Sequence, residues 1–298
     1  MYQGIFTPMI TAFDAEGKID LTGNKKNINR LVESGVDGIV FLGSIGEFFN
    51  LSLEEKKNFI DLAVQTVNGR TKVLIGTGGT FVNEVVDLTK YAEKAGADAA
   101  LVISPYYFKL DEENLYRFYS EVARNVQMDV MIYNFPDITS VNISPVLIMR
   151  LANDFKNIIG VKDTVNNISH TRMIINTIKP HIESFSILSG FDEYLVPNLL
   201  SGGDGMIGGL SNIAPELFVD QYAAFKNNDI QKLMADQKKV NILAEIYDIS
   251  QPFISAIKAG VSIVTEGTIL SIARKPASEL TEKQLSEVRK KLEQAGII

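Results

Sequence analysis

The sequence lacks cysteine and has little histidine. No cysteine occurs among its 298 residues, which excludes disulfide bonds, thiolate nucleophiles and zinc sites built from thiolates. The two histidines, His170 and His181, are not spaced as metal ligands, and we expect both at the surface or at helix ends. The sequence therefore predicts a protein that uses no metal.

An excess of positive charge and long apolar runs are also absent. Lysine and arginine number 29 against 36 aspartates and glutamates, and nothing resembles the basic stripe with interleaved aromatics that binds nucleic acid. No apolar stretch approaches the length of a membrane span, and no basic region leads into an apolar run at the N-terminus. We therefore expect a cytoplasmic protein with neither a nucleic-acid nor a membrane partner.

Short apolar runs alternate with helical patterns along the chain. The predicted strands are Ile5–Ile10, Asp37–Leu42, Val73–Ile75, Ala99–Ile103, Val130–Tyr133, Ile158–Val161, Phe185–Leu188 and Gly205–Ile207. The predicted helices between them are Asn24–Glu33, Leu53–Val67, Asn83–Lys94, Glu112–Asn125, Pro145–Ala152, Ser169–Ile178 and Glu193–Leu200. Continuous apolar runs of this kind are typical of strands buried on both faces of a parallel sheet.

This unbroken alternation predicts the fold class. Strands that each lead into a helix form parallel sheets with right-handed crossovers, and this number of units fits a closed (β/α)8 TIM barrel better than an open sheet. An open dinucleotide-binding sheet would need a glycine fingerprint after the first strand, and residues 4–17 have none. We predict a barrel at 1–225 and a C-terminal helical extension at 226–298 that caps or assembles it.

A lysine stands at the end of one apolar run, where Lys162 follows Ile158–Val161. Burial lowers the pKa of a lysine, and the neutral amine is a nucleophile towards carbonyl carbon. Taken alone, the residue is explained at least as well by a strand that surfaces there, with the ammonium paired to Asp163 or to solvent. The residues at the other strand ends decide whether Lys162 is a nucleophile or only marks where the strand reaches the surface.

Two further strand ends carry groups that can bind a substrate or transfer a proton. Gly43-Ser44-Ile45-Gly46-Glu47 follows the second run, and its glycines allow a tight turn with free amides for a carboxylate and a hydroxyl for proton relay. A phosphate loop is not expected, because no Gly-Lys-Ser/Thr completes it. Tyr133-Asn134-Phe135-Pro136 closes the fifth run, where a tyrosine hydroxyl can serve as acid or base.

Other strand ends have a structural explanation that is sufficient by itself. Ser104-Pro105-Tyr106-Tyr107-Phe108 could pack, and Gly76–Thr80 could form a tight turn before a helix. The pair Asp192-Glu193 could bind substrate hydroxyls, or could favour the start of the following helix through its dipole.

Together the motifs Gly-Ser-x-Gly-Glu, Pro-Tyr-Tyr, Tyr-Asn-x-Pro and Gly-Val-Lys-Asp-Thr resemble the pyruvate-dependent class I aldolases over nearly the whole chain. That superfamily includes N-acetylneuraminate lyase, dihydrodipicolinate synthase and the 2-keto-3-deoxy-sugar-acid aldolases. The resemblance implies that Lys162 forms a Schiff base with the keto acid, so that no cofactor is needed, and that Tyr133 transfers the proton. It also implies that Ser44 links Tyr133 to Tyr107 of a neighbouring subunit, and that the amides of Ser44 and Ile45 hold the pyruvyl carboxylate.

The resemblance further implies substrate contacts and an assembly. Gly190, Thr164, Asp192 and Glu193 would line the substrate, with the two carboxylates accepting hydrogen bonds from sugar hydroxyls as in the sugar-acid lyases. Members of this superfamily form homotetramers, built as dimers of tight dimers.

Three positions depart from the superfamily pattern. Ile45 stands where threonine is usual, Ser140 stands where glycine is usual, and Ile138 stands where dihydrodipicolinate synthases carry an arginine that binds a carboxylate. The missing arginine argues against a dihydrodipicolinate synthase, and Phe41-Leu42-Gly43-Ser44 and Phe135-Pro136-Asp137 look most like the gluconate and pentonate aldolases. The resemblance therefore implies reversible cleavage of a 2-keto-3-deoxy sugar acid to pyruvate and an aldehyde.

Several alternatives stay open. N-acetylneuraminate lyase comes next, followed by a dihydrodipicolinate synthase-like enzyme or a dehydratase of keto-deoxy sugar acids. A protein that only binds a keto acid as a sensor is a further alternative, against which the combination of Lys162, Tyr133, Ser44 and Tyr107 argues.

Overall fold

Eight strands pair in chain order and close into a barrel, so the predicted TIM barrel is confirmed. The structure is a computed structural model that describes all 298 residues. The strands are β1 Gly4–Pro8, β2 Gly38–Phe41, β3 Lys72–Gly76, β4 Ala99–Ile103, β5 Asp129–Asn134, β6 Ile158–Asp163, β7 Ser186–Ser189 and β8 Gly205–Ile207.

The helices follow the strands and then continue beyond the last one. They are α1 Leu21–Glu33, α2 Leu53–Val67, α3 Val82–Ala95, α4 Glu112–Arg124, α5 Pro136–Thr139, α6 Pro145–Asp154, α7 Ile168–Ile178, α8 Leu195–Leu200, α9 Pro215–Lys226, α10 Ile230–Ala244, α11 Ile254–Val264 and α12 Glu282–Gln294. The predicted run of helices after β8 is therefore present, whereas the division at residue 225 stays a prediction. No helix has both the length and the apolar character needed to cross a membrane.

Local sequence explains why these elements form where they do. The strands β2 and β4 are buried along their whole length, which is why they read as continuous apolar runs rather than alternating ones. Helix α2 begins with a capping box, in which Ser52 accepts from the Glu55 backbone and the Glu55 carboxylate accepts from the Ser52 backbone. Helix α3 ends at Gly96, whose φ of 95° is left-handed.

Two predicted boundaries were wrong for identifiable reasons. Strand β6 does not stop at Val161 but includes Lys162 and Asp163, because pairing with β5 and β7 continues to those residues. The predicted helix Glu193–Leu200 is a 3-10 turn at Asp192–Tyr194 followed by α8. Pro197 has no backbone N–H and must lie in the first turn, so the α-helix cannot begin much earlier.

The chain divides into two compact units. The first comprises Met1–Gly4 and Lys72–Ile207, and its strands β3–β8 pair in parallel. The second comprises Ile5–Thr71 and Gly208–Ile298, with β1 paired in parallel to β2. Each unit has its own buried apolar residues, and each contains some of the predicted site residues.

Candidate active site

Lys162 and Tyr133 face each other across strands β5 and β6 in the first unit. They are register partners in the parallel pair. Both are buried, with 6% and 4% of their surface exposed, and the Lys162 Nζ lies 4.2 Å from the centroid of the Tyr133 ring. The structure thus brings together the predicted nucleophile and the predicted acid–base residue.

The carboxylate next to Lys162 in sequence is turned away from it. Asp163 accepts hydrogen bonds from Asn134 Nδ2 at 2.8 Å and Thr171 Oγ1 at 2.7 Å, and His170 Nδ1 lies 3.1 Å from both carboxylate oxygens. Successive residues of a strand point to opposite faces. The alternative in which Lys162 pairs with Asp163 is therefore wrong, and no ion pair reaches Lys162 within this unit.

His170 was expected at the surface or at a helix end; the helix end is confirmed, and the side chain is buried rather than at the surface. It lies in the first turn of α7 with 5% of its surface exposed, facing Asp163, and its Nε2 has no hydrogen-bond partner. A buried carboxylate needs donors, and α7 supplies two of them next to β6. His181 is exposed, as predicted.

Four predicted substrate contacts follow β6 and β7. A Cβ placed on Gly190 would lie 1.8 Å from Thr164 Oγ1, so only glycine permits these two segments to approach so closely. The Thr164 hydroxyl is buried and has no hydrogen-bond partner. Asp192 is fully buried and Glu193 is half-buried in the 3-10 turn after β7. Polar groups are thus concentrated where these strands end.

Tyr107 does not join this group. It is 82% exposed and packs edge-on against Phe108, with ring centroids 5.1 Å apart. Both rings border a surface cavity of about 740 Å³ that Phe81 and Arg117 also line, and neither Lys162 nor Tyr133 lines that cavity.

The loop after β2 carries Ser44 and lies in the second unit. Leu42 and Glu47, which flank it, both have a left-handed φ of 56°, a conformation that costs a non-glycine residue on the order of 1 kcal/mol or more. The backbone N–H groups of Ser44 and Ile45 make no hydrogen bond within this unit, and the Ser44 Oγ is buried without a partner. The loop therefore keeps donors available, as an anion site requires.

Glu47 anchors the end of this loop. It is fully buried and forms an ion pair with Lys258, which is also fully buried. Its Oε2 accepts from the Arg274 backbone N–H at 3.0 Å and from Asn50 Nδ2 at 3.3 Å. Burial lowers the pKa of Lys258 to about 8, although the Glu47 charge opposes this. The Lys258 ammonium also donates to the Ile272 carbonyl at 2.7 Å.

Reasoning from sequence missed the role of this pair. Glu47 is the last residue of the motif Gly-Ser-x-Gly-Glu, but no role was predicted for its side chain. No role was predicted for Lys258 either. A signal existed, because Lys258 is the sole charged residue of the apolar helix α11, and a lysine is almost never fully buried unless it is paired.

Metal ligands are not grouped in this structure. No cluster of three or more histidine, aspartate or glutamate side chains could hold a metal ion.

The sequence pattern of the Dihydrodipicolinate synthetase family matches residues 1–295. The chain belongs to this family. The predicted resemblance is therefore confirmed over nearly the whole chain, including the C-terminal helices.

Two relatives from Escherichia coli (strain K12) are similar to this chain over almost its whole length. One, provisionally named 2-dehydro-3-deoxy-D-gluconate aldolase YagE, is 38% identical over 99% of this chain and 97% of its own. The other, named probable 2-dehydro-3-deoxy-D-pentonate aldolase YjhH, is 36% identical over 100% and 98%. A 4-hydroxy-tetrahydrodipicolinate synthase from Methanocaldococcus jannaschii is 34% identical over 98% and 96%.

Solved structures share the whole fold. The crystal structure of YagE, a prophage protein of the dihydrodipicolinic acid synthase family, in complex with pyruvate matches with a TM-score of 0.97 at 37% identity over 100% of both chains. Dihydrodipicolinate synthase from Aquifex aeolicus matches with a TM-score of 0.93 at 31% identity, covering 99% of this chain and 98% of its own.

Two departures from the family pattern can be located in the structure. Ser140 ends α5 with a left-handed φ of 58°, which explains why glycine would suit this position. Ile138 is 46% exposed and offers no charge to a carboxylate.

Proposed function

We propose that this family member is a class I aldolase that reversibly cleaves a 2-keto-3-deoxy sugar acid into pyruvate and an aldehyde. The observation that carries the proposal is the buried Lys162 amine placed against Tyr133 while the Asp163 carboxylate is turned away. The names of YagE and YjhH support the sugar-acid substrate, and the pyruvate in the YagE structure supports the keto acid.

The reaction begins with the amine. Lys162 Nζ attacks the keto carbon of the substrate, and loss of water leaves a protonated imine, which is a far better electron sink than a ketone. Tyr133 takes the proton of the hydroxyl on C4 while its own phenolic proton passes to Ser44 of the proposed relay. The bond between C3 and C4 then breaks, its electron pair moves through the imine to give an enamine, and the aldehyde leaves. Protonation of C3 and hydrolysis release pyruvate and restore the lysine.

The surroundings of Lys162 suit this role. A neighbouring carboxylate would favour the ammonium form, which is not a nucleophile. Because Asp163 is engaged by Asn134, His170 and Thr171, its charge is satisfied elsewhere. The Asn134 hydrogen bond joins β5 to β6, and so helps to fix the distance between Lys162 and Tyr133.

Substrate recognition follows from the other strand ends. In the proposal the amides of Ser44 and Ile45 hold the pyruvyl carboxylate, and isoleucine leaves the backbone as the donor at position 45. Asp192 and Glu193 accept hydrogen bonds from sugar hydroxyls, and Thr164 contributes its unpartnered hydroxyl. The apolar Ile138 disfavours a second substrate carboxylate and hence the dihydrodipicolinate synthase reaction.

The proposed active form is a homotetramer, a dimer of dimers in which Tyr107 of one subunit completes the proton relay of another through Ser44. The exposure of Tyr107 supports this assembly. Light scattering on the purified protein tests it, and a monomeric mass with full activity would contradict it.

Pyruvate release from a panel of substrates tests the function directly. The panel contains 2-keto-3-deoxygluconate, 2-keto-3-deoxypentonate and N-acetylneuraminate, with lactate dehydrogenase as the coupling enzyme. We expect release from the deoxy-sugar acids. Release from N-acetylneuraminate alone would replace the proposal with the lyase alternative.

Borohydride trapping separates an enzyme from a sensor. Incubation with pyruvate and borohydride should add a reduced pyruvyl group to Lys162, detected by peptide mass spectrometry. Binding of pyruvate without any adduct would favour a protein that only senses keto acids.

A further inference from the structure

The buried ion pair between Glu47 and Lys258 has no part in the chemistry above. We propose that these two are positioning residues, which hold the loop Gly43–Gly46 so that the Ser44 and Ile45 amides face the keto acid carboxylate. This inference rests on the proposed function, and it assigns a role in the reaction to the C-terminal helices.

The burial of the pair indicates a role beyond stability. Both side chains are fully removed from solvent, and desolvation of two charges often offsets their attraction, so that apolar side chains of similar volume would stabilise a core as well or better. Buried charged groups can instead specify one conformation among several. The conformation at stake here is that of the residues adjoining Glu47.

The loop is connected to the Glu47 carboxylate by a short path. The Glu47 backbone N–H donates to the Ser44 carbonyl at 3.1 Å, and the left-handed φ of Glu47 is disfavoured unless its surroundings enforce it. Thr11 Oγ1 donates to the Gly46 carbonyl at 2.7 Å. A shift of the Glu47 side chain would therefore move the peptides that present the two free amides.

The other end of the connection lies in the C-terminal region. Lys258 is in the interior of α11, and Arg274 follows in the segment after it. The Arg274 guanidinium binds the Gly17 and Asn50 carbonyls and the Glu55 carboxylate. The region after β8 thus binds the Glu47 carboxylate at the end of the loop through the Lys258 ammonium and the Arg274 backbone N–H.

The test uses paired variants of the full chain. Lys258→Met alone would leave Glu47 buried and unpaired, and the resulting loss of stability would obscure an effect on pyruvate binding. The double variant Lys258→Met with Glu47→Gln removes both charges and keeps the side-chain volumes, so it is the informative protein. Lys291→Met is the matched control, because it removes the Lys291–Glu245 ion pair, which joins two C-terminal elements and does not touch the loop.

The first readout is borohydride trapping of pyruvate on Lys162 as a function of pyruvate concentration. In the double variant we expect the half-saturating concentration to rise about tenfold or more, since misplaced amides lose charge-assisted hydrogen bonds, while the maximal adduct per folded protein stays that of the wild type. A merely structural role would lower the folded fraction and leave the half-saturating concentration unchanged. Equal half-saturation in the double variant, the control and the wild type would overturn the inference.

The second readout does not depend on the reaction. Hydrogen exchange of peptides covering residues 43–47 should be faster in the double variant than in the wild type and in Lys291→Met. If wild-type protein traps no pyruvate, the proposed function fails, and the exchange comparison alone decides whether the pair holds the loop. Unchanged exchange would then refute the positioning role.

Discussion

Lys162 and Lys258 are the two lysines that the fold buries, one in each compact unit, and their ammonium groups have different surroundings. Lys162 lies over the Tyr133 ring, and the carboxylate beside it in sequence binds other donors. Lys258 is paired with Glu47, donates to a backbone carbonyl and lies 4.2 Å from the centroid of the Phe13 ring. Burial and an aromatic neighbour are common to both, so the carboxylate is what distinguishes them.

In the proposed function this difference separates the amine that reacts from one that is structural. A paired carboxylate favours the charged form of a lysine, which holds neighbours in place but does not attack a carbonyl. An amine that no carboxylate holds in place is available to attack a carbonyl carbon and form an imine. Substitutions at the two lysines and their neighbours test whether the carboxylate decides between these roles.

The largest effect is expected from Lys162→Ala. Without the amine no imine can form, so both pyruvate trapping and cleavage should be abolished while the circular dichroism spectrum stays native. Lys156→Ala, which removes an exposed lysine of the same unit, serves as the control and should keep full activity. Cleavage retained by Lys162→Ala would remove the Schiff base from the mechanism.

The next effect is expected from Tyr133→Phe, which keeps the ring over Lys162 and removes the hydroxyl. The variant should still form the pyruvate adduct, but cleavage should fall by roughly 10²–10⁴-fold, the usual contribution of a general acid–base residue. Single-turnover cleavage and trapping measured on the same preparation separate the two steps. An unchanged cleavage rate would exclude Tyr133 as the proton-transfer group.

The same substitution at the two lysines should affect stability differently. Lys258→Met should lower the free energy of unfolding by about 3–5 kcal/mol, because it leaves the buried Glu47 without its counter-charge. Lys162→Met removes no ion pair and should not lower that free energy. Urea denaturation of both variants measures the contrast, and equal losses would mean that the carboxylate does not distinguish the two sites.

The smallest effect concerns the exposed end of the network around Lys258. The Arg274 guanidinium lowers the pKa of Glu55 from 4.5 to about 2. Because the folded pKa lies below the unfolded one, the stabilisation is present above pH 4.5 and is lost as the pH falls towards 2. We expect about 1 kcal/mol or less, since partly exposed ion pairs contribute little.

Thermal unfolding between pH 5 and about pH 2 measures that contribution. Glu55→Gln, in which glutamine can still complete the capping box with Ser52, should lose less stability over this range than the wild type. Glu54→Gln alters an exposed neighbouring carboxylate and should keep the wild-type pH dependence. A wild-type pH profile in Glu55→Gln would show that the Arg274 contact has no energetic effect.

Much of the fold could be predicted because it depends on local patterns. Strands β4 and β8 and helix α2 begin and end at the predicted residues, since apolar runs, caps and terminal glycines act over a few positions. The extension of β6 through Lys162 was missed, because pairing with neighbouring strands overrides the polarity of its last residues. The burial of His170 was missed because it depends on a carboxylate from another element.

The candidate site also has features that the sequence predicts and features that depend on other elements of the fold. Lys162 and Tyr133 could be identified from the sequence, because both stand at the ends of apolar runs and parallel strands gather their carboxyl ends at one edge. The sequence by itself thus determined the barrel, the order of its strands and the residues for which a catalytic role is proposed. Only the tertiary structure decided that Asp163 turns from Lys162 to His170, and that Glu47 meets Lys258. Charges pair with whatever side chain the folded chain brings within a few ångströms, and distance along the sequence does not predict that partner.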